Sequence, residues 1–232
     1  MTSYVALQAV SGSPNGFGGD LRFGETGPGA GLRGADRICA TIAERSMPGA
    51  GRKPWRAFLS AANGGDGSPV HAIDRVGDGP WYDRLGRLVA MNRAALLNTR
   101  PSGAHPAIVN DLPNEDGVPN HRPDPSRPQE DNHHMLTGSN AMGMLYGPTA
   151  TCLDWTSARG DRATEGRPRV GLSWPRGMGP GGTSGSHWIS SLDEAGCAPG
   201  VTLFGMGGPV LSNPTVGSGG GYGGWYCFSL VP

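Results

Sequence analysis

The chain has 232 residues, and its 19 basic and 19 acidic side chains give a formal net charge of zero. A neutral chain has no overall electrostatic attraction to a nucleic acid or to an anionic membrane, so we expect no nucleic-acid partner. No apolar run approaches the roughly 18 residues of a transmembrane helix, so we also expect no membrane span.

Glycine and proline are frequent, with 41 and 21 residues, while hydrophobic residues make up 36% of the chain. Such a composition approaches that of disordered proteins. The apolar and aromatic residues nevertheless cluster in short islands, as they do in strands that are joined by turn-rich loops. We therefore expect one domain of the α+β class over residues 1–232.

The N-terminal quarter of the chain contains the strongest helical pattern. Residues 4–10 are rich in β-forming side chains and end at a turn cluster, so we predict a strand. Residues 34–45 carry apolar side chains at helical spacing and are followed by Met-Pro-Gly, which predicts one main amphipathic helix. Residues 55–60 alternate as a strand, with Trp55, Ala57 and Leu59 on one face.

The middle of the chain combines short elements with one long loop. We predict strand and hairpin at residues 72–76 and 81–91, then a short helical turn at 92–98. Residues 99–132 are rich in Pro, Asp, Asn and Arg without apolar periodicity, which predicts a long loop insertion of the kind that is usually functional or disordered. Further ordered islands follow at residues 133–139, 151–157, 170–174, 186–189 and 221–230.

Four cysteines occur, at positions 39, 152, 197 and 227, and no two of them have CxxC spacing. A structural zinc site or a thioredoxin-like motif is therefore disfavoured, and disulfides are favoured. Four cysteines allow three pairings, among which sequence alone does not choose. Because disulfides persist in oxidising compartments, we expect a protein that is secreted or displayed at the cell surface, or else periplasmic, and a mature chain whose leader has been removed.

Five segments carry a family resemblance: residues 31–39 (GLRGADRIC), 55–60 (WRAFLS), 137–139 (TGS), 152–157 (CLDWTS) and 226–228 (YCF). Together they resemble the C-type-lectin-like fold, and within it the endostatin-like branch with its bacterial secreted relatives. The resemblance spans residues 4–231. It implies one main N-terminal helix, short twisted antiparallel strands, long ordered loops, and the nested disulfides Cys39–Cys227 and Cys152–Cys197.

The resemblance also implies a binding or adhesion function, but this chain departs from the family's ligand motifs. Sugar-binding members hold calcium with Glu-Pro-Asn or Gln-Pro-Asp followed by Trp-Asn-Asp, whereas the nearest strings here are Pro-Asn-Glu at 113–115 and Leu-Asp-Trp at 153–155. Calcium-dependent carbohydrate binding of that kind is therefore not expected. Heparin binding through surface arginines is not carried over either, because the charge is balanced and no dense basic run occurs.

Imidazole and carboxylate groups are concentrated around residue 130. Zinc and copper take such ligands, so we name His134, His187, Asp131 and Glu130 as a candidate metal set. Adjacent strand residues point to opposite faces, which allows only one of His133 and His134 to participate. The same acid-rich loop leaves calcium open, since a hard cation needs converging oxygens without a fixed spacing. The alternative is structural, with one histidine buried and hydrogen-bonded and the other solvated.

Several aromatic residues lie next to Gly- and Pro-rich loops, where flat rings stack on sugars or anchor a protein partner. The alternative is that these rings cover the core as satellites. The candidate binding residues are Trp81, Tyr82, Tyr146, Trp174, Trp188 and Tyr222.

No Gly-x-Ser-x-Gly elbow, HExxH pair, P-loop or dinucleotide fingerprint occurs, so we name no catalytic residue. We expect a binding module that recognises a glycan or a protein partner through a long-loop face, formed by residues 99–150 and 174–188. A structural subunit of an extracellular assembly, such as a homo-oligomer, is the second candidate. A metal-dependent enzyme is the third.

Overall fold

The computed structural model describes residues 1–119, 134–175, 187–203 and 208–231. Within these ranges the chain has a mixed α+β fold with six helices and eight short strands, which confirms the predicted class. The helices are α1 (Tyr4–Ser11), α2 (Ala30–Ser46), α3 (Ala72–Arg75), α4 (Arg93–Leu96), α5 (Cys152–Trp155) and α6 (Arg162–Glu165), with a 3-10 turn at Ala50–Arg52. None of the described helices has the length and apolar character that a membrane crossing requires.

The strands form three small sheets. Two of them are pairs, β1–β8 and the hairpin β2–β3, and the third has the order β6-β5-β4-β7. All pairings are antiparallel except that of β4 with β7, which is parallel and corrects the prediction of purely antiparallel strands. The strands are β1 (Trp55–Ala57), β2 (Trp81–Tyr82), β3 (Leu88–Ala90), β4 (His134–Leu136), β5 (Arg169–Leu172), β6 (Leu192–Asp193), β7 (Gly221–Trp225) and β8 (Cys227–Ser229).

Helix α2 confirms the predicted amphipathic helix and extends it by four residues at its N-terminal end. Its buried face includes Ile38, Cys39 and Ile42, which belong to the hydrophobic core. The added residues include Gly31, where a Cβ atom would lie 2.1 Å from the carbonyl oxygen of Asp154. Glycine is therefore required where the first turn of α2 approaches the residue 154 backbone. Because glycine has no side chain, it adds nothing to the apolar pattern from which the helix was predicted.

Two predicted strands are helical instead. Residues 4–10 fall within α1, whose ends carry strong local signals: the Ser3 side chain accepts from the Ala6 N–H, and Gly12 ends the helix with φ of 68°. Of residues 72–76, the first four form the single turn α3, which buries Ala72 and Ile73. Both segments are too short for their apolar spacing to separate a helix from a strand, and the end residues decide the structure.

The other predicted elements of this region agree with the structure. The hairpin at residues 81–91 is β2–β3, and the helical turn at 92–98 is α4, which begins after the capping residue Asn92. Strand β1 is shorter than predicted, because residues 58–60 leave the ladder. Residues 99–119, the described part of the predicted long loop, contain no helix or strand.

Both disulfides have the nested pairing that the resemblance implies. Cys39 of α2 is bonded to Cys227 of β8 across 188 positions of sequence, and Cys152 is bonded to Cys197 across 45. In the chain-entropy account, closure of the longer loop stabilises the fold by about 4–5 kcal/mol. The two bonds fit an oxidising environment.

Helix α5 is a left-handed turn. Its four residues, Cys152–Trp155, all have φ between 50° and 65°, which costs L-residues roughly 1–2 kcal/mol each. The Cys152–Cys197 disulfide holds one end of the turn. The Asp154 carboxylate accepts the N–H groups of Ala62 (2.6 Å) and Asn63 (3.1 Å), and the Trp155 indole N–H donates to the Ser60 carbonyl at 2.8 Å. These contacts fix the turn against residues 60–63.

Glu165 at the end of α6 is a buried carboxylate beside this disulfide. Its Oε1 atom accepts from the Ser157 hydroxyl and from the Arg159 N–H, the latter at 2.8 Å. Burial raises the pKa of Glu165, but hydrogen bonds from Ser157, Arg159 and Gly160 outweigh it, so the pKa lies below its usual value. Glu165 therefore stabilises the fold while it is ionised.

We expect the Glu165→Gln variant to lose about 1–3 kcal/mol of unfolding free energy at pH 7, because a charge-assisted network is removed. A lowered pKa contributes stability above the unfolded value near ~4.3, and that contribution is lost as pH falls through the folded pKa. The deficit relative to the native protein should therefore shrink between pH 5 and pH 3 in urea unfolding. An Asp66→Asn variant, which removes an exposed carboxylate, is the control. A Glu165→Gln deficit that stays constant with pH would contradict this role.

Candidate functional site

A cleft of about 550 Å³ runs along strand β8. Its sides are the C-terminal half of α2, the β2–β3 hairpin with the residues before it, and residues 112–115. Pockets that bind ligands usually measure about 300–1,000 Å³ and are lined mainly by apolar and aromatic side chains. The cleft is therefore a candidate binding site by size.

The wall of the cleft is largely apolar and aromatic. It includes Ile42, Trp55, Val76, Trp81, Leu112, Trp188, Tyr226 and Phe228. The polar ring atoms among them donate to backbone carbonyls: Trp55 to Ala50 (2.8 Å), Trp81 to Val76 (3.1 Å), Trp188 to Leu96 (2.9 Å) and Tyr226 to Trp188 (2.8 Å). Burial also raises the pKa of Tyr226 well above its usual value, which keeps the hydroxyl neutral. The polar atoms of these four rings are therefore not available to a ligand, and Trp55 is the one ring of the four that is partly exposed.

The acidic side chains that line the cleft already have partners. Asp78 pairs with Arg93 (3.0 Å), Asp83 with Arg87 (2.7 Å between Oδ2 and Nε), and Glu115 accepts the Ser3 N–H (2.8 Å). Two cationic side chains also line it, those of Lys53 and Arg84. Neither forms an ion pair with a carboxylate in the described part of the chain, although Arg84 donates to the Ser46 carbonyl at 2.8 Å. The charges that remain without a counter-ion at this cleft are therefore positive.

Large apolar side chains are exposed around the cleft mouth. Met47, Tyr82, Leu230 and Val231 line the cleft and are exposed to between 40% and 56%. Exposed apolar side chains that share one concave site are a common mark of an interaction region. We use the name β8 cleft for the cavity together with this mouth.

The six aromatic residues named from the sequence divide between different places. Trp81, Tyr82 and Trp188 come together in the β8 cleft, with the two indoles buried in the wall and the Tyr82 ring at the mouth. Tyr222 is buried elsewhere and donates to the Thr2 carbonyl at 2.6 Å. Because Trp81, Trp188 and Tyr222 are core residues, no face of their rings lies open on the outer surface for stacking.

The two remaining aromatic candidates lie outside the β8 cleft. Tyr146 is half exposed, and the Arg169 guanidinium lies 4.4 Å from its ring centre. Trp174 is partly buried at the end of β5. Tyr82 and Tyr146 are therefore the two candidates whose rings are largely accessible, and they belong to separate surfaces.

The predicted long-loop face overlaps the β8 cleft in part. Pro101, residues 112–115 and Trp188 belong to that face and line the cleft. Residues 120–133 and 176–186 lie outside the described residues. The lining residues of α2 and β8, and those of the hairpin other than Trp81 and Tyr82, were not among the candidate residues, because only tertiary packing brings them together.

His134, from the candidate metal set, is buried in β4 and paired through Nδ1 with the buried carboxylate of Glu194. The other carboxylate oxygen of Glu194 accepts the Gly219 N–H at 2.7 Å. Sequence reasoning missed Glu194, which lies 60 positions from its histidine partner. His134 therefore has the buried, hydrogen-bonded environment that we named as the alternative to a metal site.

His187 lies on the other side of strand β5. Leu172 of β5 is opposite His134 in the ladder, and its N–H donates to the His187 carbonyl at 3.1 Å. The His187 Nδ1 atom accepts the Ile189 N–H at 3.1 Å, and burial together with the charge of Arg169 lowers the pKa of the ring. The two histidine backbones are thus separated by one strand, roughly 10 Å at ordinary strand spacing.

The remaining metal candidates, Asp131 and Glu130, lie outside the described residues. Within the described ranges, no group of three or more His, Cys, Asp or Glu side chains is placed to hold a metal ion. Binding of zinc, copper or calcium therefore stays a prediction from the sequence.

No protein-family model matches the chain, and no match is found among curated proteins or solved structures. The resemblance to the C-type-lectin-like fold has no support from these comparisons.

We expect the His134→Ala variant to lose about 3–5 kcal/mol of unfolding free energy, because it leaves the Glu194 carboxylate buried without its partner. The His187→Ala variant should lose about 1 kcal/mol, since one hydrogen bond is removed. The unfolding free energies are measured by urea unfolding with and without a metal chelator. A His134→Ala loss that appears only when zinc is supplied would contradict the structural role and favour a metal ligand.

Proposed function

We propose that this protein is a binding module whose β8 cleft holds an apolar side chain of a protein partner. The observation that carries the proposal is the largely apolar cleft wall, in which the polar atoms of the aromatic rings are bonded to backbone carbonyls. Central apolar pockets that receive an aromatic or branched side chain dominate the energy of many protein interfaces. The exposed apolar mouth would be covered by the same partner.

A protein partner fits this cleft better than a glycan does. A sugar ring carries hydroxyl groups that lose water on binding and need donors and acceptors in return. The ring atoms that could supply them, on Trp55, Trp81, Trp188 and Tyr226, are already bonded to backbone carbonyls. The acidic side chains are also engaged. The ring and carboxylate groups of the cleft therefore offer a sugar no free partner, which favours the protein half of the glycan-or-protein expectation.

The proposal places the protein outside the cell or at its surface. Two disulfides support an oxidising environment, of which the secreted and periplasmic spaces are the usual cases. The C-type-lectin-like fold is part of the same proposal. It is supported by the α+β class and by the nested disulfides, one of which joins the main helix to the last strand.

Two tyrosines give a matched test of this function. Tyr82 and Tyr146 are exposed to 56% and 50%, but only Tyr82 lines the β8 cleft. The immobilised protein should select apolar sequences from a random dodecapeptide library, and a glycan array run in parallel should give no saturable binding. We expect Tyr82→Ala to weaken the selected peptides by about tenfold, the loss typical of an interface aromatic residue, and Tyr146→Ala to leave their affinity within about twofold.

Three outcomes would overturn the proposal. The first is a library that yields no peptide. The second is a set of peptides that bind the Tyr82→Ala variant as tightly as the native protein. The third is saturable glycan binding that is lost in Tyr146→Ala and kept in Tyr82→Ala. Thermal unfolding of both variants confirms that each keeps its fold.

A further inference from the structure

Among the described residues, strand β8 pairs with one strand, β1, and the ladder fixes the direction of its backbone groups. Tyr226 accepts the Phe58 N–H at 2.9 Å, and Leu230 donates to the Pro54 carbonyl at 3.1 Å. Residues of an antiparallel strand alternate between bonded and non-bonded positions. The N–H and C=O groups of Cys227 and Ser229 therefore point away from β1, toward the opposite edge of β8.

The described residues leave these four backbone groups open. In the described part of the chain, no hydrogen-bond partner occurs for the N–H or the C=O of Cys227 or Ser229. Both residues are partly exposed. An edge with unpaired, alternating donors and acceptors is a template for another strand.

The corresponding edge of β1 is closed by the protein itself. The Ala57 N–H donates to the Asp36 carboxylate at 2.8 Å, and the Ala57 carbonyl accepts from Arg75. Arg75 and Asp36 form a bidentate ion pair with distances of 2.8 and 2.9 Å. The neighbouring Trp55 N–H and carbonyl are bonded to the Lys53 carbonyl and to the Arg56 side chain. One edge of this two-stranded sheet is therefore capped, whereas no described residue caps the other.

The β8 cleft lies on the open edge. Six consecutive residues, 226–231, all line it. Successive strand residues point to opposite faces, so a cavity above one face would contact only every second residue. Contact with all three residues of β8, Cys227–Ser229, indicates that the cavity borders the strand edge toward which the Cys227 and Ser229 backbone groups point. The apolar walls thus flank the position that an added strand would occupy.

Charge restricts the partner further. Lys53 and Arg84 are the lining cations that have no carboxylate partner among the described residues, while Asp78, Asp83 and Glu115 are already engaged. An acidic group on the partner would supply the missing counter-charge. Opposite charges at an interface rim mainly raise the association rate and the dependence on salt.

We infer that the partner is an extended peptide segment that adds a strand to the open edge of β8, with an apolar side chain in the cleft and an acidic residue near Lys53 and Arg84. This inference rests on the proposed function and specifies its binding mode. Main-chain hydrogen bonds to Cys227 and Ser229 would give affinity, and the cleft would give specificity for the side chains at every second position of the peptide. The capped edge of β1 does not compete for the peptide.

Ser229 provides a matched pair of variants. Ser229→Pro removes an edge N–H but leaves the β1 ladder intact, because that N–H points away from β1. Ser229→Ala removes the same hydroxyl and keeps the N–H. With the tightest peptide from the dodecapeptide library, we expect Ser229→Pro to weaken binding by about tenfold and Ser229→Ala to change it less than about twofold. Lys53→Glu should weaken binding severalfold and reduce its dependence on salt.

The outcomes separate this inference from the proposed function. Peptides that bind Ser229→Pro and Ser229→Ala equally overturn strand addition while the cleft proposal stands, and a library without binders overturns both. If Ser229→Pro does not fold, the test uses the native protein instead. Its affinity is measured for a set of variants of the same peptide, each N-methylated at one backbone position. Loss of affinity at every second position supports strand addition, and loss at none or at all positions overturns it. If Lys53→Glu binds the peptide with unchanged affinity, the partner does not need the acidic residue that we infer.

Discussion

The disulfide between Cys39 and Cys227 is the constraint on which the candidate site depends. It bonds the middle of the longest helix to the first residue of the last strand, across 188 positions of sequence. The Trp225 indole N–H also lies 3.3 Å from the Cys39 sulfur, so the same helix position contacts the residues on both sides of Tyr226. Helix α2 and strand β8 are therefore held side by side, and the space between them and the β2–β3 hairpin becomes a cleft.

The same sheet shows how a protein controls its strand edges. Unpaired edges invite association, and natural proteins usually cover or charge them. On β1 this is done by the Asp36–Arg75 pair, which satisfies the Ala57 backbone while the two side chains satisfy one another. On β8 the described part of the chain leaves the edge open, and apolar residues line the cleft beside it. The difference between the two edges is the physical reason to regard β8 as a binding edge.

The sequence predicted the elements with strong local patterns. The apolar spacing around Ile38 and Ile42 identified α2, and the turn-flanked islands at 81–91 identified the β2–β3 hairpin. It failed for α1 and α3, where 8 and 4 residues are too few for periodicity to decide. The left-handed turn at 152–155 was also beyond sequence reasoning, since its conformation depends on the disulfide and on the Asp154 contacts with residues 62 and 63.

The candidate site was predictable only in fragments. Trp81, Tyr82 and Trp188 were named as aromatic candidates, and they do meet in one cleft. Their roles within it could not be read from sequence, because burial of the two indoles depends on packing between distant segments. The open edge of β8 depends on which residues of the β1 ladder are bonded, and His134 depends on Glu194, 60 positions away. These are properties of the folded chain rather than of any local pattern.

Amide hydrogen exchange of β8 in the free protein tests the central claim most directly. The Leu230 N–H is bonded to the Pro54 carbonyl, and the Phe228 N–H lies in a bonded position opposite Arg56, whereas the Cys227 and Ser229 N–H groups face the cleft. The account predicts slow exchange at Phe228 and Leu230 and much faster exchange at Cys227 and Ser229. Equal protection of all four amides in the free protein would show that the edge is already paired and would contradict the account.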